Sequence, residues 1–293
     1  VKFPVLVSYA YARKKLDAFS QLAANKDVLL LLDSGAFTAK NAGETILLED
    51  YCRFLDTWRH RIFRYLALDV VGDPKATDAN LREMVRAGYE PVPVHVLGDD
   101  QRRMDELFEL SNYVALAGLR RPHKGGAPKE YVAAKMKWAN GRDVHWLGYV
   151  REQMIASFKP FSCDSASWMS AGLYGRMDVY FGRGRWRAYT FPQVRQLLAD
   201  KEAMRLLSSL GYSRDRITDP NCWRRAKSLG YDGTDFMSFR VSADSWVRYV
   251  MDVMRRHGTK IFLATTMVEQ DMEHLVGALE RHGDKLHLDP LTV

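Results

Sequence analysis

Three aspartates stand where apolar runs give way to turns: Asp33 in VLLLLDSGAF, Asp69 in YLALDVVGDP and Asp164 in PFSCDSASW. A carboxylate directly after a run of leucines is capped, paired or used, because burying it alone is expensive. Two well-separated carboxylates suit displacement at a sugar anomeric carbon. One attacks C1′ as the base departs, and the other handles the proton on the leaving or entering nitrogen. Two successive inversions retain the β-configuration. Phe37, four residues past Asp33, offers a ring to a planar base, and Gly118 in ALAGL permits close approach to it.

Each residue also has a plainer reading. Asp33, followed by Ser34 and Gly35, suits an Asx-turn or a helix cap, Asp69 a strand-end hydrogen bonder, and Asp164 a buried cap. Asp73 before Pro74 reads as a helix cap. His95 in PVPVHVLGD either donates to a ligand or satisfies a core carbonyl, and the sequence favours neither. Cys163 faces away from its neighbour Asp164 along a strand and belongs to the core.

Cys52, Cys163 and Cys222 lie far apart with no CxxC, which excludes a disulfide scaffold and a four-cysteine zinc site. A reducing, cytoplasmic location is the expectation. His95, His123 and His145 fall on different segments without HxxxH spacing. Three strand-end aspartates could hold magnesium, but metal-free chemistry without a cofactor is the preferred expectation.

Residues so far apart in the chain need a scaffold that brings strand ends together. Apolar runs at 5–10, 28–35, 65–71, 92–98, 113–119, 144–150 and 161–165 alternate with helical patterns at 48–58, 76–87, 104–110 and 128–140. The runs are apolar throughout rather than alternating, as parallel strands covered by helices require. This predicts an α/β chain, a (β/α)8 TIM barrel with a basic insertion between strands seven and eight and a C-terminal extension. In that reading residues 1–258 form one catalytic barrel domain, including the insertion at 171–230. Strand eight is expected at 234–239 and its helix at 243–256, with 259–293 packed on the barrel as the extension. GxGxxG and GxxxxGK[ST] are both absent, which counts against an open, doubly wound nucleotide-binding sheet.

At 293 residues and 47% hydrophobic, the chain can bury a large core. Its longest apolar run, 28–32, is far short of the ~20 residues of a membrane span, and the first residues lack a signal-peptide apolar region. The formal charge is +7, and residues 176–227 hold 12 Arg and Lys against 5 Asp and Glu, an excess equal to that of the whole chain. That stretch is the candidate phosphate-facing surface, the alternative being an ordinary solvated face.

DSGAF, LALDV, ALAGL, HWLGYV and CDS occur in the order seen in the tRNA-guanine transglycosylase superfamily, and the chain most resembles its DNA-modifying branch, the 7-deazaguanine DNA transglycosylases of phages and bacterial genomic islands. The likeness covers roughly residues 28–170 well and 230–256 weakly. It implies a barrel enzyme that exchanges guanine in nucleic acid for a free 7-deazaguanine base, preQ0 or a relative, through a covalent glycosyl-enzyme intermediate. By that resemblance Asp164 is the nucleophile and Asp33 the general acid/base. Phe37 stacks on the base, Asp69 accepts from its N1 and 2-amino edge, and Leu147 with Gly148 forms the opposite wall. His95 falls where the tRNA enzymes usually carry Gln, and Ala117 with Gly118 where they carry GG.

The family's CxCxxC zinc signature is missing, since only Cys222 lies in the corresponding insertion. The resemblance therefore favours DNA over tRNA as the polymer, with no expectation for oligomeric state. It places Arg176, Arg183, Arg185 and Arg187 on phosphates and Trp186 or Tyr189 on an exposed nucleotide, with Arg120, Arg121 and Lys124 extending the track. The target guanine must leave the stack to reach a barrel mouth. A tRNA enzyme, a free-nucleoside hydrolase and a catalytically silent nucleic-acid-binding barrel are the rival readings.

Overall fold

Consecutive branched and aliphatic residues with no polar alternation need burial on both faces, and residues 28–33 meet that need in a parallel sheet, between two neighbouring strands. In the computed structural model, which describes residues 2–119, 129–223, 237–267 and 269–282, Leu30, Leu31 and Leu32 are all essentially fully buried. Each contributes about 1.5–3 kcal/mol relative to exposure.

Eight strands form the sheet: β1 (Phe3–Ser8), β2 (Val28–Asp33), β3 (Arg64–Tyr65), β4 (Val94–His95), β5 (Tyr113–Leu116), β6 (Asp143–Trp146), β7 (Ser162–Ser165) and β10 (Lys260–Thr265). Their order is β3-β2-β1-β10-β7-β6-β5-β4, and every pairing is parallel. The result is a curled parallel sheet flanked by helices, compatible with a TIM-like barrel. Just past β3, Leu66 forms a parallel bridge to Val92, which precedes β4. Val92 N donates to Tyr65 O at 2.8 Å and Ala67 N to Val92 O at 2.9 Å.

Helices follow the strands much as the apolar spacing predicts, at Leu48–Trp58, Pro74–Arg86, Gln101–Leu110 and Lys129–Ala139. Asp73 caps the second of these, its Oδ1 accepting from Ala76 N at 3.0 Å. Inside the curl, Leu6, Leu31 and Phe262 pack with Leu29, Phe63 and Ala264. A second cluster joins Leu66, Val92, Tyr113 and Ala115 to Val94, Leu147 and Phe161.

The eighth strand is not where the sequence suggests. Residues 234–236 lie outside the described part, and Met237 opens a helix that runs to His257. The KIFLAT segment, expected in a terminal extension, instead enters the sheet between β1 and β7, with Val5 opposite Leu263 and Asp164 opposite Phe262. TDFMSF and KIFLAT are both short, apolar and β-compatible, so local pattern alone does not rank them. Partners on both sides decide for KIFLAT.

The chain divides into two compact units, Val1–Ser165 with Arg256–Glu269, and Ala166–Arg255 with Gln270–Val293. The first holds the parallel sheet. Within the second, β8 (Arg176–Tyr180) and β9 (Trp186–Thr190) pair as an antiparallel hairpin. Met177 and Val179 of that hairpin pack with Leu197, Leu207, Ile217, Trp223 and Val241 in a core of their own. No helix among the described residues is long and apolar enough to cross a membrane.

Candidate active site

Side chains alternate along a strand, so the partners of one residue reveal where its neighbours two places away point. Leu29 and Leu31 lie in the interior cluster, which puts Asp33 on the same face at the C-terminal end of β2. There the backbone turns sharply. Gly35 has φ +76°, and its N–H donates to Asp33 Oδ2 at 3.1 Å, closing the Asx-turn that the DSG sequence suggests. Ser34 Oγ donates to Asp69 Oδ1 at 2.6 Å, tying the end of β2 to the loop after β3.

Burial raises the Asp33 carboxyl to about 7, helped by the negative charges of Asp69 and Asp164 and opposed by the Gly35 amide and the Ser8 hydroxyl. All three predicted aspartates therefore act on one electrostatic site. A carboxyl half-ionised near neutrality carries a proton in both directions, which is what an acid that later serves as base must do.

Asp164 is held differently. It is 8% exposed, on β7, and its Oδ1 accepts from Gly148 N at 2.7 Å and from His145 Nε2 at 3.1 Å. Gly148 has φ +61°, a left-handed conformation that aims its N–H at the carboxylate. His145 Nδ1 lies 2.5 Å from Ser162 Oγ, which is in turn hydrogen-bonded to the Tyr113 hydroxyl. Cys163 is fully buried, and burial drives its thiol well above the usual range, so it is a core residue as expected.

His145, Ser162 and Tyr113 are the residues that sequence reasoning misses. The signal was parity: Ser162 shares a face with Asp164, and His145 with Leu147. His145 entered the sequence reading only as a zinc candidate. Among the described residues no group of three His, Cys, Asp or Glu side chains is arranged to hold a metal ion.

The predicted base-binding residues divide. Phe37 is 62% exposed on the helix Ala36–Asn41 that follows Asp33. Leu147 lines the interior. Ala117 N donates to His95 O at 2.9 Å, and Gly118 has φ +78° with Leu97 so close that an added Cβ would sit 2.8 Å from Leu97 Cβ. Of the two readings open for His95, the structure takes the structural one. Its Nε2 lies 3.0 Å from Asp100 O, its Nδ1 faces Lys135 Nζ at 3.5 Å, and its ring is tilted against Trp138. It therefore faces the helix layer, and its neighbour Val94 is the one that packs inside. Burial, with the Lys135 charge adding to it, holds the imidazole below its ordinary range despite the Asp100 carbonyl.

Three of the four arginines expected on phosphates are already paired with carboxylates. Arg176 Nε donates to Asp178 Oδ1 at 2.6 Å, Arg185 binds Glu202 Oε1 at 2.9 Å, and Arg187 bridges Asp200 and Glu202. Of the four arginines expected on phosphates, Arg183, exposed at the hairpin turn, is the one with no carboxylate partner among the described residues. Tyr189 is 6% exposed and donates to Asp200 Oδ2 at 2.5 Å, so it is a core residue and not a stacking platform. Trp186 is partly buried against Tyr180, Trp246 and Tyr249. Arg120, Arg121 and Lys124 lie outside the described residues.

Comparison with models of protein families, with curated proteins and with solved structures finds no match to this chain.

Proposed function

We propose that the protein is a base-exchanging pentosyltransferase that replaces guanine in DNA with a 7-deazaguanine base. The observation that carries this reading is the pairing of two unlike carboxyls at one site. Asp33 is poised near neutrality by burial and by the charges of Asp69 and Asp164, while Asp164 is held by two N–H donors. In the first half-reaction a lone pair of Asp164 forms a bond to C1′ as the C1′–N9 bond breaks. The bond pair leaves with guanine, and Asp33 supplies the proton. In the second, Asp33 takes a proton from the incoming base, whose N9 attacks C1′ and frees the Asp164 carboxylate.

Phe37 would stack on the base, Asp69 would accept from its N1 and amino edge, and Leu147 would wall the slot. The sheet is read as a closed (β/α)8 barrel, its ends joined at Leu66 and Val92, with the site at the C-terminal mouth where such barrels hold their chemistry. DNA is the proposed polymer and the cytoplasm the proposed location. The absence of a zinc-signature cysteine cluster from the sequence separates this chain from the tRNA enzymes it resembles.

Incubation with labelled guanine or preQ0, separately with DNA and with tRNA, tests chemistry and polymer together. Label should enter DNA alone. Incorporation only into tRNA would move the assignment to the RNA enzyme. Salt-sensitive binding without incorporation into either would indicate a silent nucleic-acid-binding barrel.

A further inference from the structure

The two donors that hold Asp164 converge on one oxygen. Gly148 N–H and His145 Nε2 both reach Oδ1, and among the described residues Oδ2 accepts no hydrogen bond. A carboxylate oxygen with two donors has its lone pairs engaged, so the other oxygen is the better nucleophile. We infer that Asp164 Oδ2 is the attacking atom and that His145 is the positioning residue that selects it, through a fixed hydrogen-bond order running from Tyr113 through Ser162 and His145 to Asp164. This rests on the assignment of Asp164 as nucleophile.

The order follows from donor and acceptor needs. An ionised Asp164 only accepts, so Nε2 of His145 carries the proton. In the neutral ring Nδ1 then accepts, and Ser162 Oγ–H must donate to it at 2.5 Å. The Ser162 oxygen is left to accept from the Tyr113 hydroxyl, which burial keeps protonated by raising its pKa. His145 itself is fully buried between Tyr113 and Phe262, with edge-on ring contacts at centroid distances of 6.2 and 6.0 Å that fix its plane. In the attack an Oδ2 lone pair makes the bond to C1′, the C1′–N9 pair departs with guanine, and Asp33 provides the proton. Oδ1 keeps both hydrogen bonds throughout.

Two measurements on the full-length protein decide this. Nitrogen-15 NMR of the imidazole in the wild type reports the tautomer without any need for activity. A ring protonated at Nε2 alone is expected, and a proton on Nδ1, with or without one on Nε2, would overturn the order. Single-turnover formation of the DNA adduct is then compared in the wild type, His145→Phe, His145→Gln and Ser162→Ala, with DNA affinity and melting temperature measured alongside. His145→Phe should slow adduct formation roughly 10- to 100-fold, the loss of one charge-assisted hydrogen bond, with DNA affinity unchanged. His145→Gln, which keeps an N–H, should recover part of the rate, and Ser162→Ala should fall between. Folded His145→Phe and Ser162→Ala proteins that react at the wild-type rate would overturn the inference. A wild type that forms no adduct would instead overturn the transglycosylase reading, while the tautomer would still judge the hydrogen-bond order.

Discussion

At the scale of single residues, Asp33 is the group whose chemistry is most exposed to measurement. Its carboxyl is raised to about 7 by burial and by two neighbouring carboxylates, whereas in an unfolded chain it would ionise near 4. The native state therefore holds its proton more tightly than the unfolded state does. The stability this contributes is complete below pH 4, is lost as pH rises towards 7, and falls no further above that. Asparagine mimics the protonated form, so Asp33→Asn should melt like the wild type at pH 4. By pH 8 it should be the more stable protein by about 1–3 kcal/mol, a range reduced for the partial exposure of the site. Thermal unfolding of both proteins from pH 4 to 8 measures this, and parallel curves would refute it. The same substitution should abolish base release.

At the scale of elements, the turns after the strands decide whether the carboxylates point inward. Gly35 cannot carry a side chain: at φ +76° an added Cβ would lie 2.5 Å from Ala10 N and 2.8 Å from Ser8 Oγ. Gly148, at φ +61°, has open space where a Cβ would go. Gly35→Ala should thus cost well over 2 kcal/mol, from left-handed strain plus a backbone clash, and Gly148→Ala about 1–2 kcal/mol from strain alone. Urea denaturation of both variants separates them.

Sequence showed the first of these turns through its DSG residues, and it showed Asp33, Asp69 and Asp164 because carboxylates after apolar runs are conspicuous. It did not show His145, whose strand HWLGYV reads as plain core until Asp164 is placed beside it. His95 was misleading for the converse reason. A polar residue near a strand end draws attention, and only parity, set here by Val94 packing inward, reveals that it faces the helices.

At the scale of the whole molecule, the parallel sheet was legible because its strands are unbroken apolar runs, whereas the place of KIFLAT between β1 and β7 depends on partners distant in the chain. Net charge was the least transferable signal. An excess of twelve basic over five acidic residues suggests a phosphate track, yet Arg176, Arg185 and Arg187 are each bound to carboxylates of their own unit. Arg183→Ala should therefore lower DNA affinity and reduce the slope of log affinity against log salt by roughly 0.7–0.9. Arg176→Ala should leave the slope unchanged and destabilise the fold by leaving Asp178 a buried charge without its partner. Fluorescence anisotropy across a salt series distinguishes the two.

The covalent step is the centre of the proposal, and intact-protein mass spectrometry of a rapidly quenched reaction with guanine-containing DNA reads it directly. Wild-type protein should carry DNA attached through Asp164, with free guanine released in equal amount, and Asp164→Asn should carry none. Guanine exchange by Asp164→Asn at the wild-type rate, or an adduct mapped to any other residue, would contradict it.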